Sequence, residues 1–88
     1  MTECEVEIRN RLGLHARAAA RFVQASAAFR SRVSVTRGER TMDGKSILGI
    51  LLLAASRGTR LLLAADGDDE LACIQTLVSL VESGFGEV

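Results

Sequence analysis

The chain has 88 residues, 48% of them apolar, with Phe22, Phe29 and Phe85 as its only aromatic side chains. That length suits one domain, residues 1–88, with a modest core of Leu, Val, Ile and Ala and no room for a deep, many-walled active site. Eleven basic and eleven acidic residues cancel, which removes the broad positive field that nucleic acid or an anionic membrane surface would need.

Cys4 and Cys73 stand far apart, with no CxxC spacing and a single histidine in the chain. Neither a zinc site nor a disulfide framework can be assembled from them, so both read as small buried hydrophobes in a reducing compartment. The amino terminus, MTECEVEIRN, is charged from its third residue, and no apolar run approaches the length of a membrane span. The expected location is cytoplasmic, with no metal and no cofactor.

Along the chain, Cys4, Val6 and Ile8 alternate with Glu5, Glu7 and Arg9, which predicts a strand with one dry and one wet face. After Gly13-Leu14-His15, the stripe Ala19, Phe22, Val23 and Ser26, continued by Phe29, predicts a helix over 16–28. Val33 and Val35 alternate up to Arg37-Gly38-Glu39, and Arg40 to Met42 read back as a return strand, making an antiparallel hairpin. Ser46 is a good N-cap for a short helix over Ile47 to Leu53. Leu61, Leu63 and Ala65 alternate with Leu62 and Ala64 in a segment apolar on both faces, as an interior strand would be. Asp68, Asp69 and Glu70 place negative charge at the start of a last helix, which carries Leu71, Ile74, Leu77, Val78 and Val81 on one stripe until Gly84.

The order is therefore βαββαβα, with no repeat, linker or low-complexity tract. Right-handed crossovers through the first two helices leave a gap beside each connected strand, and two interleaved βαβ units fill both gaps. The expected fold is α/β of the α+β type: an open-faced sandwich, a four-stranded antiparallel sheet with three helices on one face.

Gly13-Leu14-His15-Ala16-Arg17 holds the only histidine. A lone histidine before a helix can simply cap it. It can also do chemistry, because the first N–H groups of a helix have no carbonyl partners and its dipole favours an anion there. Arg17 adds a forked, permanent cation within reach, and a neutral imidazole is nucleophilic at neutral pH without an auxiliary base. Phosphoryl transfer needs mainly positioning and charge stabilisation, which a surface site shared with a partner can supply.

With Gly44-Lys45-Ser46-Ile47, the GLHAR segment resembles HPr, the histidine-containing phosphocarrier family of the bacterial phosphotransferase system, and the resemblance extends over essentially all 88 residues. It implies a carrier, not an enzyme: enzyme I, charged by phosphoenolpyruvate, phosphorylates His15 on Nδ1, and His15 passes the group to a IIA-type acceptor. Arg17 would steady the phosphate, with the backbone N–H groups of Ala16 and Arg17. Ser46 would be the site of an HPr kinase/phosphorylase, and Ile47, Leu48 and Leu51 the docking surface of a protein expected to be a monomer. Ala18 stands where most of the family has proline. Leu12 and the Gly84-Phe85 ending are closer to the nitrogen-branch relative, NPr.

Ser46 also has a purely structural explanation as an N-cap. The run Ile47-Leu48-Gly49-Ile50-Leu51-Leu52-Leu53 is too apolar for one side of a short helix to hide; Ile50 and Leu53 are expected in the core and the surplus faces out, as protein contact sites do. The alternative function, from another class, is a regulatory module that docks on a kinase or metabolic enzyme through this patch while His15 carries no phosphate.

Overall fold

In the computed structural model, which describes residues 1–87, the chain runs β1 (Thr2–Glu7), α1 (Ala16–Ala27), β2 (Arg32–Arg37), β3 (Arg40–Asp43), α2 (Ile47–Leu52), β4 (Arg60–Asp66) and α3 (Glu70–Glu82), then a single 3₁₀ turn over Gly84–Gly86. The sheet order is β1-β4-β2-β3, and every neighbouring pair is antiparallel. β1 and β2 point the same way and leave a gap that β4 fills; β2 fills the gap between β3 and β4. This is the open-faced arrangement the alternation of patterns predicts. Among the described residues no helix is long and apolar enough to cross a membrane.

One face of the sheet buries Val6, Val33, Val35, Leu61, Leu63 and Ala65 against Phe22 of α1, Ile50 of α2, and Leu77 and Val81 of α3. Each fully buried leucine there contributes about 1.5–3 kcal/mol. The other face is open and carries Glu3, Glu5 and Glu7 along the edge strand β1, where charge discourages pairing with another chain's edge. α1 is alanine-rich, the best composition for a helix, and its small Ala18 and Ala19 are fully buried.

Two expectations need correction. Leu71 is exposed at 62% and does not belong to the α3 stripe. At about 100° per residue it stands roughly a quarter-turn away from the line of Cys73, Ile74, Leu77 and Val81, which are the buried residues of that helix. Cys4 is only half-buried, because the strand that carries it is a sheet edge, whereas Cys73 is fully buried and burial pushes its thiol pKa up. The acidic start of α3 is as expected, with Asp69 at the N-cap and Glu70 in the first turn. Asp69 makes no side-chain cap bond to its own helix.

Instead its carboxylate reaches the loop between α1 and β2, accepting from Arg30 N at 2.9 Å, Ser31 N at 3.0 Å and Ser31 Oγ at 2.6 Å. The close approach is possible because residue 67 is glycine: a Cβ there would stand 2.8 Å from Ser31 Cα. The Ser31 hydroxyl and the Arg30 amide favour the ionised form and hold the Asp69 carboxyl at about 2, against an ordinary value of 3.8. A depressed folded-state pKa contributes stability above the unfolded value that disappears as pH falls through the folded one. Asp69→Ala is therefore expected to unfold earlier in urea than the parent at pH 7, with the gap between the two narrowing from about pH 4 down to about pH 2. Parallel unfolding midpoints across that range would exclude the clamp.

Candidate functional site

The site is built on the turn between β1 and α1. Gly13 N donates to Asn10 O at 3.1 Å, and Leu14 N donates to Ala55 O at 2.8 Å, which staples the turn to the segment that follows α2. Gly13 has φ +67°, and a Cβ there would lie 2.5 Å from Ala55 O and 2.9 Å from Ser56 Cα. Only glycine meets both conditions. Leu14, 6% exposed, anchors the turn in the core and leaves the next side chain at the surface.

That side chain is His15, the N-cap of α1, with an extended backbone (φ −72°, ψ 176°). Its carbonyl accepts from Ala19 N at 2.8 Å. Its Nδ1 accepts from Arg17 N at 3.3 Å, so the imidazole occupies the place of the missing carbonyl at the head of the helix. The ring is 26% exposed, neither buried nor turned away from the helix start. Ala16 and Arg17 follow in the first turn, with the Arg17 side chain at the surface.

The other ring nitrogen has a partner that no local pattern announces. Nε2 lies 2.5 Å from Glu87 Oε2, 72 positions away. Asn10 Nδ2 donates to Glu87 Oε1 at 2.9 Å and to Gly13 O at 2.7 Å. A carboxylate can only accept and an amide N–H can only donate, so both contacts are satisfied together by the neutral ring with its proton on Nε2 and its lone pair on Nδ1. The Asn10 hydrogen bond is the main cause that holds the Glu87 carboxyl below the usual range, with His15 and Arg21 adding to it against desolvation.

The tail reaches the ring through an unusual backbone. Gly84, Phe85 and Gly86 all have positive φ, and Phe85, at 59°, is not a glycine. Its side chain is 1% exposed, and Arg21 Nη1 donates to its carbonyl. Between tail and helix lies a hollow of about 390 Å³ lined by Arg11, Leu12, Arg17, Arg21, Gly86 and Glu87.

Ser46 stands at the other end of α2, where its Oγ accepts from Gly49 N at 3.1 Å as the N-cap. Ile47, Leu48 and Leu51 are exposed at 43%, 64% and 37%, and Ile50 and Leu53 are fully buried. Leu52, exposed at 51%, adds to the apolar surface of α2, and Leu12, exposed at 64%, lines the hollow beside the tail. The last carbonyls of α2 are held by the hairpin: Arg37 donates to Leu53 O and Ala54 O, and Arg40 to Leu52 O. Since Ala55 in turn receives Leu14 N, helix and histidine turn are one connected unit.

A surface histidine set at the head of a helix on an open-faced sandwich fits a small carrier better than a pocketed catalyst. The family model described as "PTS HPr component phosphorylation site" matches residues 2–83. Phosphocarrier protein HPr of Neisseria meningitidis is 44% identical over 87 residues, covering 99% of this chain and 98% of that one. The crystal structure of HPr-C-His from Thermoanaerobacter tengcongensis superposes with a TM-score of 0.97 at 46% identity, covering 100% and 99% of the two chains. An HPr dimer from the same organism gives 0.80 at 47%, covering 99% and 100%. The chain belongs to the HPr family of phosphotransferase-system phosphocarriers.

Two glycines separate the cost of a left-handed backbone from the cost of a collision. A Cβ at Gly38, φ +59°, would meet nothing within 4 Å, unlike one at Gly13. Gly38→Ala is expected to cost about 1 kcal/mol, and Gly13→Ala about 2–3 kcal/mol more through the forced shift of the Ala55–Ser56 backbone. Thermal melts showing equal losses for the two variants would contradict this account of the turn.

Proposed function

We propose that this protein is a cytoplasmic phosphocarrier: His15 takes a phosphoryl group from enzyme I charged by phosphoenolpyruvate and hands it to a IIA-type acceptor. The observation that carries this reading is the position of Nδ1, at the head of α1 and facing the Arg17 N–H. A phosphoryl group on that nitrogen places its oxygens among the N–H groups of Ala16 and Arg17 and within reach of the Arg17 guanidinium. The hydrogen bond from Arg17 N to Nδ1 is then exchanged for bonds to phosphate oxygen. His15 and Arg17 come from one chain, so the phosphate site of this reading needs no second copy.

The apolar surface of Ile47, Leu48 and Leu51 serves as the docking face for enzyme I and the acceptor, which complete the transfer site. Family membership supports Ser46 as the point of control by an HPr kinase/phosphorylase. Phosphate on Ser46 sits beside the docking face and repels an acidic partner, while the helix start tolerates the charge.

Incubation with enzyme I and labelled phosphoenolpyruvate is expected to leave acid-labile label on the parent protein and none on His15→Ala. Arg17→Ala is expected to slow transfer by about 10²-fold. An unlabelled parent would favour a regulatory binding module instead. Ser46→Asp is expected to weaken enzyme I binding by about tenfold, roughly 1.4 kcal/mol, with the far-UV spectrum unchanged; equal affinities would remove Ser46 from the scheme.

A further inference from the structure

Arg17 and the first N–H groups of α1 account for one ring nitrogen only. The other is gripped by a carboxylate delivered from the far end of the chain, and that carboxylate is gripped by a buried amide. We propose that Asn10 and Glu87 are positioning residues of the phosphoryl relay: Asn10 fixes Glu87, and Glu87 keeps the His15 proton on Nε2 throughout the cycle. Nδ1 can then accept and release the phosphoryl group without any proton changing place. This rests on the phosphocarrier reading.

The contacts form a closed set. Both Glu87 oxygens are committed, Oε1 to Asn10 at 2.9 Å and Oε2 to Nε2 at 2.5 Å. Asn10 is 5% exposed, and both of its Nδ2 bonds go to the site, one to Glu87 and one to Gly13 O in the turn that carries His15. Its Oδ1 is buried with no hydrogen-bond partner among the described residues. An unpaired buried acceptor is a desolvation cost that an aliphatic side chain would avoid. What this position requires is therefore the amide's donors. The tail supports the same conclusion: a phenylalanine is held in the left-handed region between two glycines of positive φ, pinned by a buried ring and by Arg21, and the next residue but one is Glu87.

The chemistry explains what such a device does. In the forward step the Nδ1 lone pair attacks phosphorus, the N–P bond forms, and the bond from phosphorus to the donor's leaving atom breaks with its electron pair staying on the donor. The ring keeps its Nε2 proton and becomes cationic, facing the Glu87 anion. In the reverse step the N–P bond breaks, its pair returns to Nδ1, and the ring departs as neutral imidazole. A ring that had lost the Nε2 proton would have to depart as an imidazolate anion, a far poorer leaving group. A carboxylate that fixes tautomer and offsets imidazolium charge is the role of the aspartate in hydrolytic triads. The charged groups lining the hollow beside Glu87 are Arg17 and Arg21 from α1 and Arg11 from the turn after β1. All three are cationic, and Glu87 is the anion that meets the ring.

The test uses phosphorylated parent, Glu87→Gln, Asn10→Ala and, as a control, Glu82→Gln on the exposed side of α3. Loss of label is followed against pH, and the ¹⁵N shifts of the unphosphorylated His15 ring report its tautomer. Glu87→Gln is expected to move the high-pH limb, where transfer falls as the ring proton is lost, to lower pH, and to raise the Nδ1–H tautomer. Asn10→Ala moves both in the same direction by less, and Glu82→Gln moves neither. A limb and tautomer in Glu87→Gln identical to the parent's overturn the positioning role while leaving the carrier intact. A parent that takes no label overturns both.

Discussion

The helix that presents His15 starts on the His15 ring. Every α-helix begins with N–H groups that have no carbonyl to meet, and here the first acceptor they find is Nδ1 of the imidazole. The protein thus places an acceptor, Nδ1, at the point where an anion would meet the unpaired N–H groups. Gly13, Leu14 and Ala55 exist in their observed geometry to set that registry: the turn is tight, its exit is stapled, and the side chain after the buried leucine is left at the surface.

The fold then gathers three remote segments around this point. The β1–α1 connection supplies the histidine, the end of α2 supplies the backbone that supports the turn, and the tail after α3 supplies the carboxylate on Nε2. All three lie at ends of elements packed on one face of a sheet, which is why a core of modest size is enough. The apolar surface on α2 belongs to the same unit as the histidine turn, and its free face is held in place by two arginines of the hairpin that close the end of the helix.

Much of this was legible in the chain. Alternation in 4–8, 33–35 and 61–65 identified the strands, the 3.6-residue stripe identified α1, and the excess of leucine in 47–53 identified an exposed patch, because these signals come from local periodicity. His15 and Arg17 were legible since chemistry and helix position coincide within five residues. Asn10 and Glu87 were not: their meeting depends on tertiary closure across 77 positions, and neither residue type is unusual where it stands. The nearest signal was the Gly84-Phe85-Gly86 run, an aromatic between two glycines just past a helix, which marks a chain forced into a special path. Asp69 has the right charge for a helix start, but its carboxylate also serves a neighbouring loop, and Leu71 lies off the stripe, whose line runs through Cys73. The choice between ring nitrogens comes only from family resemblance; in the structure an acceptor, Glu87, faces Nε2 and a donor, Arg17 N, faces Nδ1.

The most direct measurement is the position of the phosphoryl group on the ring. With ¹⁵N-labelled histidine and phosphate transferred from enzyme I, ³¹P–¹⁵N coupling should appear at Nδ1, while Nε2 retains its proton. Coupling at Nε2, or label on any residue other than His15, would contradict the account.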